Sequence, residues 1–391
     1  MTEWKEYKLI DITEPIKETY IPNGSENLLY IGLEHIEQAT LRLNGIGKST
    51  DVTSNKFLFK LNDVLFGKLR VYFRKVVKPK FNGICSTDIW VFRAKEGFSQ
   101  DFLFYFFANW DFVNLADGGE GGTRMPRADW NFLKHTVWNI PTLLEQKSIA
   151  SILSSLDDKI DLLHRQNATL EKMAETLFRQ WFVEEVQEDW EEIKLGSIVE
   201  VINGVSYKSV DLNSSRTAMV TLKSFDRNGG FRMDGFKEYT GNYKELHILK
   251  EGDLVVAHTD ITQEADVIGN PVMVIGNPKY DTMVFSMDLV KVTSKDDNYS
   301  NEYLYLLMKS NEFKEHCLGY SNGSTVLHLS KKAVPEFEMK LPPNNLINDF
   351  SKIVKPLVQK QFKNQTQIRT LTALRDTLLP KLMSGEVRVE E

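Results

Sequence analysis

The chain has 391 residues, of which 42% are hydrophobic and 26% are charged, and its formal net charge is −6. These values leave room for two domains with packed cores, and they argue against a protein that binds nucleic acid over its whole surface. Two cysteines far apart in sequence, Cys85 and Cys317, exclude a disulfide framework and a cysteine-rich zinc site and suit a reducing cytosol. We find no signal peptide and no apolar run near the roughly 18 residues of a membrane span, so we expect a cytoplasmic protein.

An internal repeat is the most informative feature of the sequence. Shifted by 201 residues, residues 141–186 align with residues 342–387 without a gap, and eleven of the 46 aligned positions are identical. Average composition would give roughly three identities. The segments WKEYKL from Trp4 and WEEIKL from Trp190 also correspond, whereas the regions between these anchors differ in sequence and length. Shared ends around variable middles predict one scaffold with two different recognition surfaces.

Each half is predicted to end in a long helix, because apolar residues recur there with the alternating spacing of a coiled-coil seam. Asn167 is the polar residue of the first seam, of the kind that fixes helix register. The second seam, which includes Gln361, Asn364 and Arg375, is weaker. The strongest seam positions are Ile149, Leu153, Leu156, Ile160, Leu163, Asn167, Leu170, Leu177, Leu357, Ile368, Leu371 and Leu378.

The geometry of these helices suggests a spacer. A helix of about 38 residues spans roughly 57 Å, so two such helices packed together would hold the globular regions apart at a fixed distance. The alternative is that each helix packs only on its own domain. We expect Pro356 to kink the second helix or delay its start, and Pro380 to disturb its last turn.

These patterns predict an α+β protein with four segments. A globular region at 1–143 precedes the first spacer helix at 144–184, and a second globular region at 185–341 precedes the second helix and tail at 342–391. The globular regions consist mostly of strand and turn patterns, with one amphipathic helix each, at 99–113 and 300–314.

Three short motifs resemble parts of enzyme sites, and each fails on its context. Residues 44–50 (NGIGKST) end like a phosphate-binding loop, but Arg42 stands where its first glycine belongs and poor helix formers follow. Residues 277–280 (NPKY) lack the second proline of a methyltransferase motif, and residues 338–340 (EMK) have no counterpart in the first half. The histidines show no metal-ligand spacing. The sequence therefore indicates a non-catalytic chain without a metal site.

A basic segment stands out against the acidic background. Residues 56–80 contain eight Lys or Arg and one Asp, with aromatic residues between them. Arginine and lysine neutralise phosphates, and arginine also contacts guanine through two hydrogen bonds, so we predict DNA contacts here. The alternative is a solvated strand face. The candidate DNA-binding residues are Lys68, Arg70, Tyr72, Arg74, Lys75, Lys78, Arg124 and Arg127 in the first half, and Lys208, Lys223, Arg227 and Arg232 in the second.

Together these features resemble a known family. Residues 141–150 (PTLLEQKSIA) open the first heptad helix after a variable domain, and this arrangement is similar to the specificity subunits of type I restriction–modification systems. Residues 63–70 (DVLFGKLR) and 121–127 (GGTRMPR) also look like that family's target-recognition domains. The second copy departs from the pattern, since Leu346 and Ile347 replace Glu-Gln and Pro356 interrupts the helix.

The resemblance implies a fold of two mixed α/β target-recognition domains separated by two long helices in an antiparallel coiled coil. Each domain would read one half of an asymmetric, bipartite double-stranded DNA target from the major groove. The helices would set the gap between the halves and dock two methyltransferase subunits. Those subunits would bind S-adenosylmethionine, and restriction subunits would use ATP and Mg²⁺, so this chain would bind no cofactor. Such systems defend bacterial or archaeal cells against phage.

A second hypothesis is a protein–protein adaptor whose coiled coil docks partners without sequence-specific DNA binding. Replacing Lys68, Arg70, Arg74 and Lys75 with alanine should separate the two, since a DNA-binding chain would lose affinity and salt dependence.

Overall fold

The structure, a computed structural model, describes residues 4–24, 26–118, 126–226, 229–262, 265–323 and 326–389. The chain divides into two compact units. Unit 1 comprises Met1–Leu162 and Gln367–Glu391, and unit 2 comprises Leu163–Thr366. Each unit therefore contains one globular region and one segment of each long helix.

Unit 1 is built mainly from short strands. They form a two-stranded sheet of order β1-β11, a four-stranded sheet of order β2-β10-β7-β8 and a five-stranded sheet of order β3-β6-β9-β4-β5. The strands are β1 (Lys5–Lys8), β2 (Thr13–Ile16), β3 (Thr19–Tyr20), β4 (Leu29–Ile31), β5 (Gly47–Lys48), β6 (Lys56–Phe59), β7 (Val64–Gly67), β8 (Val76–Val77), β9 (Gly83–Cys85), β10 (Ile89–Ala94) and β11 (Val137–Ile140). The helices are α1 (Leu9–Ile12), α2 (Gln100–Ala108), α3 (Trp110–Asp117), α4 (Trp130–Leu133) and α5 (Leu143–Arg179), the last of which continues into unit 2.

The core of unit 1 is aromatic and lies between the four-stranded sheet and α2. Phe92 of β10 stacks on Phe107 of α2 with ring centroids 4.3 Å apart, and Phe66 of β7 lies 5.7 Å from the same ring. Residues 102–108 are all buried, because a helix that is apolar on every face is stable only when it is covered on every face.

Unit 2 repeats part of this plan. Its sheets have the orders β12-β24, β13-β21-β17-β19, β15-β14-β20-β16 and β18-β23-β22. The strands are β12 (Glu191–Lys194), β13 (Val199–Asn203), β14 (Thr217–Val220), β15 (Lys237–Glu238), β16 (Ile248–Leu249), β17 (Leu254–Ala257), β18 (Thr259–Asp260), β19 (Pro271–Met273), β20 (Thr282–Phe285), β21 (Leu289–Ser294), β22 (Ser321–Asn322), β23 (Leu327–Leu329) and β24 (Glu338–Leu341). The helices are α6 (Asn301–Met308), α7 (Asn311–Gly319) and α8 (Asn344–Ser384), whose last part belongs to unit 1.

The two units share their scaffold sheets. In each, the first strand pairs antiparallel with the strand that precedes the long helix, β1 with β11 and β12 with β24. The four-stranded sheet β2-β10-β7-β8 has the same order as β13-β21-β17-β19. The remaining sheets differ in strand number and order. The predicted α+β architecture, with a common scaffold and divergent middles, is confirmed.

The prediction of one amphipathic helix at 99–113 and one at 300–314 is wrong, because each segment forms two helices. Ser99 caps α2, and Asn109, in an extended conformation, separates it from α3. In unit 2, Ser300 and Ser310 each accept a hydrogen bond from a backbone N–H of the helix that follows. A serine placed as an N-cap starts a new helix, which a count of apolar residues does not reveal.

Segments of the long helices pair antiparallel within each unit. In unit 1, Asp157 of α5 forms an ion pair with Arg375 of α8, whereas the earlier Glu145 contacts the later Arg388. In unit 2, Asn167 contacts Asn364, and the later Phe178 lies against the earlier Phe350. None of the predicted seam residues is exposed: Ile149, Leu153, Ile160, Leu163 and Ile368 are buried, and Leu156, Asn167, Leu170, Leu177, Leu357, Leu371 and Leu378 are half-buried.

Both prolines lie inside α8. The helix begins at Asn344, well before Pro356, and includes Pro380 in its last turns. A proline inside a helix leaves the carbonyl group four residues earlier without its helical partner. Pro356 and Lys352 are both exposed, so water can bond to that carbonyl group. The expectation of a delayed start is therefore wrong.

Candidate DNA interface

Two basic segments of unit 1 meet in the turn that follows β7. The backbone N–H of Lys68 donates to the carbonyl of Asp88 at 3.0 Å, and that of Arg70 donates to the carbonyl of Pro126 at 2.8 Å. Leu69 and Arg127 form an antiparallel bridge. The structure thus places Arg127 beside residues 68–70, although the two segments are distant in sequence.

The side chains of this turn present positive charge at the surface. Arg127 is exposed, and its guanidinium lies 3.1 Å from the carboxylate of Asp88. Lys68 is half-buried; burial lowers the pKa of its ammonium, Asp88 opposes this effect and Arg127 adds to it. Among the described residues, none forms a hydrogen bond or ion pair with the ammonium of Lys68 or the guanidinium of Arg70. Both cations are therefore available to a phosphate or a base edge.

The backbone that follows is strained and displays an aromatic ring. A single 3₁₀ turn, Val71–Phe73, is flanked by Arg70 with φ 53° and Arg74 with φ 49°. For a residue with a Cβ atom, each such left-handed conformation costs on the order of 1–2 kcal/mol. Between them Tyr72 is 43% exposed and packs on Phe73 with ring centroids 4.6 Å apart.

Arg74 does not belong to the interface, and its prediction as a DNA ligand is corrected. Its side chain is 1% exposed. Its Nε donates to the carbonyl of Ala108 at 2.6 Å, and its terminal nitrogens lie 3.3 Å from Asp376. Burial lowers the pKa of this guanidinium, and Asp376 opposes the shift. Arg74 anchors the strained turn from inside, which basic sequence composition alone could not distinguish from an exposed charge.

Two further candidate lysines of the basic segment, Lys75 and Lys78, have side-chain partners within unit 1. Lys75 donates through Nζ to the carbonyl of Leu33 at 2.5 Å, and Lys78 forms an ion pair with Asp101. The backbone of Lys75 lies opposite Gly67, the residue before Lys68, but the ammonium groups of Lys75 and Lys78 are engaged in these contacts. Arg124, also predicted as a DNA ligand, lies outside the described residues. The basic turn is therefore defined here as Lys68, Arg70, Tyr72 and Arg127.

The described candidates of unit 2, Lys208, Lys223 and Arg232, lie on two separate turns. Lys223 and Arg232 lie on opposite arms of a turn closed by a bridge between Phe225 and Phe231. Arg232 pairs with Asp234, Nη2 to Oδ2 2.7 Å. Arg227 lies outside the described residues. Lys208 is exposed on another turn, where its backbone N–H donates to Asp211 at 2.7 Å.

The sequence search overlooked Asp88, which is central to the basic turn. The turn Ser86-Thr87-Asp88 is closed by a hydrogen bond from the N–H of Ile89 to the carbonyl of Ser86. The pattern of residues 86–89, Ser-x-Asp followed by a branched aliphatic residue, recurs at residues 286–289. That recurrence, at an offset of 200 rather than 201, is the clue that could have located it.

The apparent enzyme motifs have structural roles. Within residues 44–50, Ser49 is 2% exposed, and its hydroxyl donates to the carbonyl of Glu26 at 2.5 Å, so it is closed to a metal-bound nucleotide. Residues 277–280 form a turn, and residues 338–340 lie in β24, which pairs with β12. The described ranges contain no group of three or more His, Cys, Asp or Glu that could hold a metal ion. Within the same ranges, no helix combines the length and apolar character that a membrane crossing requires.

Comparisons with known proteins agree with this organisation. Residues 1–172 and 187–371 both match the family described as type I restriction modification DNA specificity domain. The MjaIX type I restriction enzyme specificity subunit of Methanocaldococcus jannaschii is 27% identical, over 76% of this chain and 71% of that protein. The HindI specificity subunit of Haemophilus influenzae is 24% identical, over 99% of this chain and 100% of that protein.

A solved structure has the same fold. The type I restriction–modification system S subunit from M. genitalium superposes with a TM-score of 0.56 at 18% identity, over 97% of this chain and 96% of that one. The family match covers both halves of the sequence. This chain therefore belongs to the family of type I restriction–modification DNA specificity proteins.

Proposed function

We propose that this chain is the non-catalytic subunit that gives a type I restriction–modification complex its DNA sequence specificity. The observation that supports this most strongly is the duplicated scaffold with two different surfaces. A shared frame holds the basic turn in unit 1 and a chemically different turn in unit 2. Each surface reads one half of a bipartite double-stranded DNA target, and because the surfaces differ, the halves differ too.

The long helices are proposed to act as the spacer and the docking site. Each helix is continuous and contributes one segment to each unit, so its length fixes how far apart two half-sites are read. Two methyltransferase subunits dock on this frame and bind S-adenosylmethionine, while restriction subunits use ATP and Mg²⁺. In this proposal the complex works in the cytoplasm of a bacterium or an archaeon, and this chain binds none of these cofactors itself.

Methylation mapping tests the proposal directly. The chain is co-expressed with its methyltransferase subunit in a host free of DNA methylation, and the genome is sequenced for modified adenines. We expect an asymmetric two-part motif that disappears when this chain is omitted. A purified, intact complex without any motif would instead favour the protein–protein adaptor.

The contribution of the basic turn is measured by salt dependence. Replacing Lys68, Arg70 and Arg127 with alanine should reduce the slope of log K against log salt by about 0.9 for each phosphate that is no longer neutralised. Replacing the exposed lysines Lys5, Lys8 and Lys60 removes the same charge elsewhere and serves as the control. Equal slopes in the two triple variants would remove the basic turn from the DNA footprint.

A further inference from the structure

The turn after β17 in unit 2 is the structural counterpart of the basic turn in unit 1. In unit 1 the N–H of Lys68 donates to the carbonyl of Asp88 at 3.0 Å. In unit 2 the N–H of His258 donates to the carbonyl of Asp288 at 2.7 Å. Asp88 ends a turn that leads into β10 of unit 1, and Asp288 ends a turn that leads into β21 of unit 2. His258 therefore occupies the position of Lys68.

A second pair of contacts extends the match to the opposite segment. The carbonyl of Lys68 accepts from the N–H of Ala128, and the carbonyl of His258 accepts from the N–H of Leu329, both at 2.9 Å. In unit 1, Arg127 precedes Ala128 and pairs with Leu69, which follows Lys68. In unit 2, His328 precedes Leu329 and pairs with Thr259, which follows His258. His328 therefore occupies the position of Arg127.

Burial agrees with these equivalences. Lys68 and His258 are both half-buried, and Arg127 and His328 are both exposed. No hydrogen bond joins the imidazole of His258 or His328 to any other residue in the described part of the chain. Two imidazoles thus stand where unit 1 presents two cations.

We propose that His258 and His328 determine the specificity of unit 2 by contacting base edges of the second half-site. This inference rests on the proposed function. A neutral imidazole has one N–H donor and one acceptor nitrogen, so it can contact a base edge in the major groove but cannot neutralise a phosphate. Burial, with Lys331 and His328 adding to the effect, lowers the pKa of His258 to about 4, which keeps it neutral at physiological pH.

Two residues close to His258 in sequence, Asp260 and Ile261, support a base-reading surface. Asp260 accepts hydrogen bonds from the backbone N–H groups of Val267 at 2.6 Å and Ile268 at 2.9 Å, which holds this aspartate in place against residues 267–268. Ile261, the next residue, is 74% exposed. An exposed apolar side chain next to an anchored aspartate is suited to the C5-methyl group of thymine. Arg70, two residues after Lys68, has the acidic Asp260 as its counterpart, so the two units cannot bind DNA with the same charges.

Methylation mapping of the full complex tests this assignment. The double variant His258→Ala/His328→Ala is compared with the wild type and with His135→Ala, which removes an exposed histidine of unit 1. We expect the double variant to relax one half of the motif and to keep the other half and the spacer, with a loss of discrimination of at least about fivefold at the affected bases. His135→Ala should leave the motif unchanged.

The failures of the two proposals are distinguishable. A wild-type complex without any motif contradicts the proposed function. A wild-type bipartite motif that the histidine double variant keeps unchanged in both halves overturns only the assignment of His258 and His328. If the double variant loses both halves of the motif together, the histidines do not act on one half-site alone, and their assignment is overturned. Thermal unfolding of the same sample shows whether the variant has lost its fold.

Salt dependence separates a base-edge contact from a charge contact. Lys68→Ala and His258→Ala alter equivalent positions of the two units and serve as matched variants. At pH 7.5, Lys68→Ala should lower the slope of log K against log salt by about 0.9, whereas His258→Ala should weaken binding without changing the slope. A slope that falls equally in both variants would mean that His258 acts as a cation, and the base-edge role would be wrong.

Discussion

Arg74 and Arg375 are buried arginines of unit 1, each held by carboxylates on the long helices. Both are 1% exposed. Arg375 pairs with Asp157 at 2.8 Å, and the hydroxyl of Tyr105 donates to the same carboxylate at 2.7 Å. Burial alone would lower the pKa of Arg375, but Asp157 and Asp376 raise it above its ordinary value. The guanidinium therefore stays charged inside the protein, and its partners become necessary to the fold.

The contrast between Arg74 and Arg70 yields the first prediction. Removing one partner of a buried ion pair typically costs about 3–5 kcal/mol, so Arg74→Ala should lose stability of that order, measured by urea denaturation. Arg70 is half-buried and its guanidinium has no partner among the described residues. Arg70→Ala should therefore change the free energy of unfolding by less than about 1 kcal/mol and weaken DNA binding. An Arg74→Ala chain that is stable but binds DNA poorly would return Arg74 to the interface.

The stability of unit 2 should depend on the protonation of His258. An unfolded histidine has a pKa of about 6.5, and burial lowers that of folded His258 to about 4. Between these values the unfolded chain binds a proton that the folded chain does not, so stability falls as pH decreases from 6.5 towards 4. Above pH 6.5 neither the folded nor the unfolded chain binds this proton, so His258 no longer makes stability depend on pH.

Unfolding free energies at pH 7 and pH 5 measure this effect. Between the two pH values the wild type should lose about 1–2 kcal/mol more than His258→Asn, which cannot take up the proton. The matched variant His135→Asn, at an exposed position of unit 1, shows how far the substitution itself alters the measurement. An identical pH dependence in wild type and His258→Asn would contradict the burial of the imidazole.

At the scale of elements, polar residues in the helix seam have a measurable role. Asn364 is fully buried, and its Nδ2 donates to Oδ1 of Asn167 at 2.9 Å. Gln361 donates to the backbone carbonyl of Asn167 at 3.1 Å. Such a layer fixes the register of two helices, because any shift leaves a buried amide without a partner.

A double-mutant cycle tests this layer. Asn364→Leu or Asn167→Leu alone leaves one amide facing an apolar side chain and should cost about 1–3 kcal/mol. The double variant restores an apolar contact, so its loss should be smaller than the sum of the single losses by more than about 0.5 kcal/mol. Denaturant unfolding of the three variants gives the coupling, and additive losses would mean that the two amides do not act as a pair.

The sequence predicted the elements that depend on periodicity and missed those that depend on single contacts. The seam spacing located the long helices, and the repeat located the shared scaffold, because both patterns extend over many residues. The break at Asn109 depends on one extended residue and the new start at Ser310 on one cap. The burial of Arg74 depends on Asp376, which is far away in sequence. Charge counting therefore found the basic segment but could not tell its buried cations, Lys56 and Arg74, from its surface cations.

The candidate site of unit 2 contains residues that charge counting missed. Its basic candidates Lys208, Lys223 and Arg232 lie on two turns, whereas the counterpart of the basic turn contains histidines and an aspartate. A search for positive charge could not select His258 or His328. Comparison of backbone hydrogen bonds between the repeats finds them, because the scaffold is shared even where the side-chain chemistry is not.

For the whole molecule, the continuity of both long helices leads to a prediction about the target. Each helix contributes a segment to both units, and the segments meet between Leu162 and Leu163 in α5 and between Thr366 and Gln367 in α8. If these helices set the distance between the half-sites, their length and the spacer of the DNA motif should change together. A heptad is the suitable insertion, since seven residues keep the seam in phase to within about 20°.

Inserting one heptad at these two points should lengthen the spacer and leave both half-sites unchanged. Seven helical residues add about 10.5 Å, which limits the increase to roughly three base pairs at 3.4 Å each. Methylation mapping of the variant complex gives the new spacer. A heptad in α5 alone serves as the control, because the unmatched helix places seam residues opposite the wrong partners and should abolish methylation. The original spacer in the doubly lengthened variant would show that the distance between half-sites is set elsewhere, by the bound partner subunits or by the DNA itself.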